Sequence, residues 1–193
     1  LAKKGAEVTI TGRNESKVKS AVEEIKKESG SDKVDYLICD QDSLKNVREL
    51  AAEINNKFEQ IDVLINNAGL YTYDRELSED GYEMMFAVNH LSHFLLTDLV
   101  LDKIKAAQGR IVNVSSIAHK QTRDFDFDDV NLDKDFSGWK GYSRSKFCNI
   151  AFTKELARRL EGTGVTTNCL HPGGVSTEIA QKDANWYTKL GWM

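Results

Sequence analysis

Along the chain, stretches whose apolar residues have the spacing of a helix alternate with short apolar runs that are typical of strands. Four stretches carry apolar residues at the spacing of one helical face, namely residues 16–29, 43–58, about 79–107 and 141–161. Between them lie short, mostly apolar runs that predict strands at residues 7–11, 34–39, 61–65, 110–116 and 165–170. Because strand and helix alternate throughout, the pattern predicts an α/β fold with a parallel sheet covered by helices on both faces.

The unusual residues of the sequence fall where these predicted strands end. They are Gly12-Arg13, Asp40, Asn66 to Gly69, Ser115-Ser116 and His171 to Gly174. Turns at the opposite ends of the strands show no comparable residues. In sheets of this kind ligands bind beyond the carboxyl ends of the strands. The positions therefore predict one binding crevice at that edge.

Length and composition narrow the class of protein. The 193 residues suit a single domain, predicted over residues 1–193, with a net charge of −4 and no basic cluster, which disfavours a nucleic-acid partner. Cys39, Cys148 and Cys169 are scattered, as expected for free thiols in a reducing, intracellular compartment. No apolar run long enough to span a membrane and no signal peptide stand out. The four histidines lack partners at metal-ligand spacing, so no metal site is predicted.

The predicted helix at 141–161 begins with a candidate proton-transfer pair. Tyr142 and Lys146 are four residues apart, so their side chains share one helical face. A free phenol has a pKa of about 10, and a nearby ammonium lowers it toward the range in which proton transfer is efficient. The alternative is a core tyrosine beside a surface lysine. The pair gains weight only from the residues that accompany it.

Those companions resemble one family. The ordered set Asn66-Asn67-Ala68-Gly69, Asn89, Ser116, Tyr142-x-x-x-Lys146 and Pro172-Gly173 resembles the short-chain dehydrogenase/reductase family over essentially the whole chain. Residues 88–97, 156–160 and 164–167 are similar to its retinol-dehydrogenase-like branch. The resemblance implies a Rossmann-type doubly wound sheet. It also implies hydride transfer between a nicotinamide cofactor and an apolar carbonyl or alcohol of the retinoid, lipid aldehyde or steroid type.

The resemblance also implies catalytic roles. Tyr142 would be the general acid in carbonyl reduction and the base in alcohol oxidation. Lys146 would lower the pKa of that tyrosine and bond the nicotinamide ribose. Ser116 would donate to the substrate oxygen, while Ser115 would face the other side of its strand. Asn89 would hold a water that relays the proton away from Lys146.

Cofactor contacts are implied at several strand ends. Asn67, Ala68 and Gly69 would pass beside the adenosine ribose, Asp40 would contact the adenine, and the remaining contacts would come from Tyr142, Lys146, Pro172, Gly173, Val175 and Thr177. NAD enzymes usually place an acidic residue after the strand that corresponds to 7–11. Here Arg13 follows that strand, and a guanidinium suits a phosphate, which favours NADP(H) over NAD(H). The alternative is that Arg13 is a solvated turn residue.

One part of the family pattern is missing. The glycine-rich phosphate cradle, Thr-Gly-x-x-x-Gly-x-Gly, would come from a central strand ahead of the helical turn at residues 1–4. The family's last strand would follow residue 193, so the fold is expected to be incomplete at both ends. Two interpretations stay open: a fragment of a full reductase, or a shortened, inactive binding or regulatory module. A homodimer and a membrane tether upstream of residue 1 are further implications of the resemblance.

Overall fold

The computed structural model describes residues 1–122 and 125–173. Five parallel strands form two separate sheets within this part of the chain. The first sheet pairs β1 (Val8–Gly12) with β2 (Val34–Ile38). The second has the order β3-β4-β5, with β3 at Val63–Asn66, β4 at Arg110–Val114 and β5 at Thr166–Leu170. Each predicted strand is therefore present, with every end within two residues of its predicted position.

The helices follow the predicted stripes. They are α1 (Glu15–Ser29), α2 (Leu44–Lys57), a long helix at 84–106 and α5 (Gly138–Arg159). The long helix consists of a short α3 (Met84–Phe86), a π-helical turn (Ala87–Leu91) and α4 (Ser92–Ala106). It begins five residues later than predicted, because Glu83 caps it by accepting the backbone N–H groups of Met85 and Phe86. Ala2–Lys4 is a single 3₁₀ turn that Gly5 ends.

The largest core cluster holds the two sheets together through helices. The buried stripe of α2, including Val47, Leu50 and Ile54, packs with Leu37 of β2 and with Val100 of α4. Helix α2 also donates the Asn55 amide to the carbonyl oxygen of Leu99 over 3.0 Å. Side-chain packing thus replaces backbone pairing between the sheets.

Between the two sheets, the strand edges are open. Within the described residues β1 pairs only with β2, and β3 pairs only with β4. Val63 and Ile65 of β3 are 42% and 46% exposed, which is unusual for apolar residues of a parallel strand. This arrangement confirms the predicted α/β architecture and the predicted break where a central strand would bridge its neighbours.

Within the described ranges, one helix, Met84–Ala106, is long and apolar enough to span a membrane by length and composition. The sequence prediction concerned an uninterrupted apolar run, and polar residues interrupt this helix. Half of its most apolar window is buried inside the protein, where α4 packs against α2 as a core helix. The buried polar residues Asn89, Ser92, His93 and Thr97 on this helix fit a core position. Membrane association and a homodimer remain predictions.

Candidate active site

The four side chains predicted to be catalytic come together at the carboxyl end of β4. Tyr142 and Lys146 lie on α5, Ser116 follows β4, and Asn89 lies in the π-helical turn between α3 and α4. All four are buried, with exposed fractions of 7%, 3%, 7% and 0% in that order. Turns of π-helix are rare and are often found at functional sites.

Ser116 and Tyr142 form one end of this cluster. The Ser116 hydroxyl accepts the Ala118 N–H over 3.3 Å and is hydrogen-bonded to the Tyr142 phenol. Burial raises the pKa of Tyr142, and the Ser116 hydroxyl acts in the opposite direction. The neighbouring Ser115 faces away and donates to the carbonyl oxygen of Lys146 over 2.7 Å. The two serines therefore have different hydrogen-bond partners, and Ser116 lies on the side of the phenol.

Lys146 lies behind the phenol. Its Nζ donates to the carbonyl oxygen of Val114 over 3.1 Å and lies 5.6 Å from the Tyr142 ring centroid. Burial lowers the pKa of Lys146 to about 8, with Cys169 acting in the opposite direction. The sequence argument expected the ammonium to lower the pKa of Tyr142. In this structure burial is the larger effect on that phenol, and it keeps the phenol protonated.

Asn89 connects the π-helical turn to two other segments. Its Oδ1 accepts the Leu70 N–H over 2.8 Å, and its Nδ2 donates to the Leu70 carbonyl over 3.0 Å and to Ser145 Oγ over 3.1 Å. Both amide protons are thereby used. A relay water at this residue would have to donate to an oxygen, and that role stays a prediction.

Gly69 brings the loop after β3 close to the same cluster. A Cβ added at this position would lie 3.3 Å from Asn89 Oδ1 and 3.5 Å from Lys146 Nζ. A larger side chain would press on both groups. Ala68 is half-buried beside Gly69, and Asn67 is exposed. The absence of a side chain at Gly69 therefore allows the backbone to approach the predicted catalytic cluster.

The predicted adenosine contacts lie elsewhere, at the ends of β1 and β2. Arg13 is exposed and Asp40 half-buried, and both line an open cavity of about 380 Å³. Glu49 and Glu53 of α2 line the same cavity. Arg13 thus shares this cavity with three carboxylates, and the sequence pattern did not reveal the two that α2 contributes from elsewhere in the chain.

The other predicted contacts follow β5. Pro172 and Gly173 are exposed, and Gly173 has a φ of +83°, which favours glycine. Val175 and Thr177 lie outside the described residues.

The residues present fit the two ends of a nicotinamide dinucleotide. Tyr142 and Lys146 offer polar hydrogens at one end, and Arg13 offers a cation at the other. A glycine-rich turn leading into a helix, which would bind the pyrophosphate, is absent from the described residues. Nor does any group of three or more His, Cys, Asp or Glu side chains in that part of the chain form a metal site.

Sequence reasoning missed several features around the cluster. Tyr71 and Trp139 pack their rings near Tyr142, with centroids 5.8 Å and 6.4 Å from its ring. Arg144 is 5% exposed and donates to the carbonyl oxygens of Asp126 and Asp129, with its guanidinium 4.4 Å from the Phe125 ring centroid. Its position between Tyr142 and Lys146 on a buried helix start was the available signal.

Sequence reasoning also did not single out Asp129, which lies in an acidic segment ahead of α5. Asp129 is 7% exposed, and its carboxylate accepts the backbone N–H groups of Asp133 and Lys134. It therefore organises the following turn, while Phe127 nearby is 82% exposed.

Comparisons with known proteins agree with this geometry. A family model described as short chain dehydrogenase matches residues 1–188. Human retinol dehydrogenase 13 is 45% identical over 183 residues, which cover 94% of this chain and 55% of that protein. Human polyprenol dehydrogenase is 38% identical over 205 aligned residues, covering 100% of this chain and 62% of that protein. The chain thus spans little more than half the length of these relatives.

Solved structures show the same fold. A crystal structure of an uncharacterized protein from Mycobacterium Paratuberculosis has a TM-score of 0.78 and 35% identity, covering 94% of this chain and 64% of that one. A protein of Escherichia coli CFT073, described as a short chain dehydrogenase and complexed with NADPH, has a TM-score of 0.70 and 26% identity, covering 88% of this chain and 67% of that one. The chain belongs to the short-chain dehydrogenase/reductase family and resembles its retinol-dehydrogenase-like branch.

Proposed function

We propose that the protein is an oxidoreductase that transfers a hydride between NADP(H) and an apolar carbonyl or alcohol. One observation carries the proposal. Ser116 and Tyr142 are hydrogen-bonded to each other at the carboxyl end of β4, with Lys146 and Asn89 buried behind them. Two hydroxyl groups placed side by side can donate to a single carbonyl oxygen, which is the arrangement that carbonyl reduction requires.

The chain's own residues supply the proton chemistry. The nicotinamide, when bound, supplies or accepts the hydride at the substrate carbon. Tyr142 Oη gives its proton to the carbonyl oxygen in reduction and takes it back from the alcohol in oxidation. Burial raises the pKa of this phenol, so it is protonated at neutral pH and ready to act as an acid. Ser116 would orient the oxygen, and Lys146 would donate to the cofactor ribose.

The substrate proposal rests on the walls of the site and on relatives. Leu70, Tyr71 and Phe136 pack around Tyr142, and Trp139 stacks on its ring, so the surroundings of the phenol are aromatic and apolar. Two relatives are named for retinol and polyprenol, both isoprenoid alcohols. A long, apolar isoprenoid aldehyde or alcohol is therefore the substrate class to test first.

The preference for NADP(H) rests on Arg13. Its exposed guanidinium follows β1, where a 2′-phosphate would be recognised in the family. Glu49 and Glu53 in the same cavity oppose a phosphate, so the preference over NAD(H) should be modest. The structure of the Escherichia coli protein with NADPH is consistent with this cofactor.

The test is an assay of retinaldehyde-dependent NADPH oxidation. It compares the 193-residue chain with a version extended upstream by a strand and the family's Thr-Gly-x-x-x-Gly-x-Gly loop. We expect turnover of retinaldehyde by the extended version, and at most weak turnover of a small polar aldehyde such as glyceraldehyde. An extended protein that binds NADPH but reduces no aldehyde would contradict the proposal and favour an inactive binding module.

A further inference from the structure

Asn149 lies one helical turn after Lys146 on α5, and its side chain is completely buried. Its Nδ2 group donates to the main-chain carbonyl of Asn89 over 2.9 Å and to the carbonyl of Val114 over 3.3 Å. Val114 is also the acceptor of the Lys146 ammonium. One amide therefore bonds the π-helical turn and the carbonyl that holds the catalytic lysine.

His90 fixes the direction of this amide. Two carbonyl oxygens face the Nδ2 side, so the amide must present its hydrogens there and its oxygen on the other side. His90 Nδ1 lies 3.0 Å from Asn149 Oδ1, which requires the Nδ1–H tautomer. Burial lowers the pKa of His90, which keeps the ring neutral, and the rings of Phe86, Phe94 and Phe152 hold it in place.

We infer that Asn149 is a positioning residue that sets the place of Lys146 and of the Asn89 carbonyl for proton transfer, with His90 orienting its amide. The inference rests on the proposed function. The carbonyl oxygen of Val114 accepts hydrogen bonds from both Lys146 Nζ and Asn149 Nδ2. Because Lys146 Nζ and Asn149 Nδ2 bond the same oxygen, the lengths of these two hydrogen bonds limit the distance between the two nitrogens. A change at Asn149 removes one of the two bonds to this oxygen and is therefore expected to alter how the oxygen holds Lys146.

The charged and titratable groups around Lys146 are few. Tyr142 shares its helix, Cys169 faces it from β5, and His93 faces it from α4. None of these three is a carboxylate. A carboxylate introduced at position 149 would therefore be a new negative charge close to the Lys146 ammonium. An opposite charge within about 4–6 Å favours the charged form of a lysine and raises its pKa by about 1–3 units.

The experiment compares Asn149→Asp, Asn149→Ala and His90→Phe with the control Thr153→Val. The hydroxyl of Thr153 accepts the Asn113 amide over 2.9 Å and donates to the main-chain carbonyl of Asn149 over 2.6 Å, so its loss breaks two buried hydrogen bonds while the Asn149 side chain keeps its own partners. The variants are made in the 193-residue chain, or in the upstream-extended version if only that form binds NADPH. Three quantities are measured: kcat with retinaldehyde, the NADPH dissociation constant, and the Lys146 pKa from the pH dependence of amine acylation.

We expect both Asn149 variants to lower kcat by about 10–100-fold with the NADPH dissociation constant within threefold of wild type. His90→Phe should have a smaller effect, about fivefold. Asn149→Asp should raise the Lys146 pKa by at least one unit. Thr153→Val should lower the melting temperature as much as Asn149→Ala, yet leave kcat within twofold and the Lys146 pKa unchanged.

Two outcomes overturn the inference. One is a loss of kcat in Thr153→Val as large as that in Asn149→Ala, which would mean a structural role only. The other is an unchanged Lys146 acylation curve in Asn149→Asp. If Asn149→Asp does not fold, Asn149→Ala and His90→Phe decide through kcat. If wild type shows no turnover, the proposed function fails, and the acylation curves still decide the positioning role.

Discussion

Polar residues are buried and hydrogen-bonded around the sheet β3-β4-β5, whereas those at the ends of the sheet β1-β2 are exposed or half-buried. In the first, Asn66, Asn113 and Thr153 are buried and bonded to one another across two strands and a helix. In the second, Arg13 is exposed, Asp40 is half-buried, and both line an open acidic cavity. The proposed catalytic cluster belongs to the first region, and the predicted adenosine contacts belong to the second.

The difference follows from what each region has to do. Proton transfer needs donors held at fixed distances away from water, so its side chains are buried and their hydrogen bonds are filled. Recognition of a phosphate by a guanidinium works at a surface, through charge. The first region is therefore expected to respond strongly to single substitutions, and the second weakly.

The largest difference should appear at two adjacent asparagines. Asn66 is 2% exposed and donates to Thr97 Oγ1 over 2.9 Å and to Asn113 Oδ1 over 2.8 Å. Asn66→Ala leaves both acceptors unpaired, so the free energy of unfolding should fall by about 2–4 kcal/mol. Asn67 is exposed, and Asn67→Ala should change the free energy of unfolding by less than about 0.5 kcal/mol. Urea unfolding measures both, and equal losses would contradict the contrast.

A pH series tests the buried ammonium. The pKa of Lys146 is lowered from 10.5 to about 8 by burial. The unfolded state therefore binds more protons between those values, and the unfolding free energy of wild type should rise with pH across that window relative to Lys146→Met. The rise should be up to about 3 kcal/mol. The exposed Lys154→Met on the same helix controls for the lost charge. A Lys146→Met difference that stays flat from pH 8 to 10.5 would show that Lys146 is hydrated.

The smallest effect is expected in the open region. Arg13→Gln removes an exposed cation, so NADPH binding should weaken by about fivefold, or roughly 1 kcal/mol, while NADH binding is unchanged. Glu49→Gln removes a carboxylate from the same cavity and should strengthen NADPH binding slightly. Fluorescence titration measures both in the version that binds cofactor. Equal weakening of NADH and NADPH by Arg13→Gln would remove the argument for a 2′-phosphate contact.

Much of the fold was readable from the sequence because strands and helices differ in period. The site was readable where local spacing places residues together, as for Tyr142 and Lys146 on one helix face. What joins distant segments was not. The hydrogen bond of Asn149 to the Asn89 carbonyl links residues 60 positions apart. Glu49 and Arg13 line the same cavity only because of the way α2 packs. The π-helical turn at Asn89 also has no sequence signal of its own, because its residues suit an α-helix equally well.

The sequence also could not predict whether burial or a nearby charge has the larger effect on a pKa. Spacing showed that Lys146 lies near Tyr142, but it could not show how deeply both are buried. Burial acts on each group against its charged form, and at Tyr142 it outweighs the effect that the pair alone predicts.

The central claim is that Tyr142 transfers the proton. The most direct measurement compares single-turnover retinaldehyde reduction by Tyr142→Phe and Tyr71→Phe, with the NADPH dissociation constant measured alongside. Both substitutions remove one phenolic hydroxyl, and the two rings lie 5.8 Å apart. The account predicts a loss of at least about 10³-fold in Tyr142→Phe with nearly unchanged cofactor binding, and a loss below about tenfold in Tyr71→Phe. Reduction by Tyr142→Phe at a rate close to wild type would contradict it.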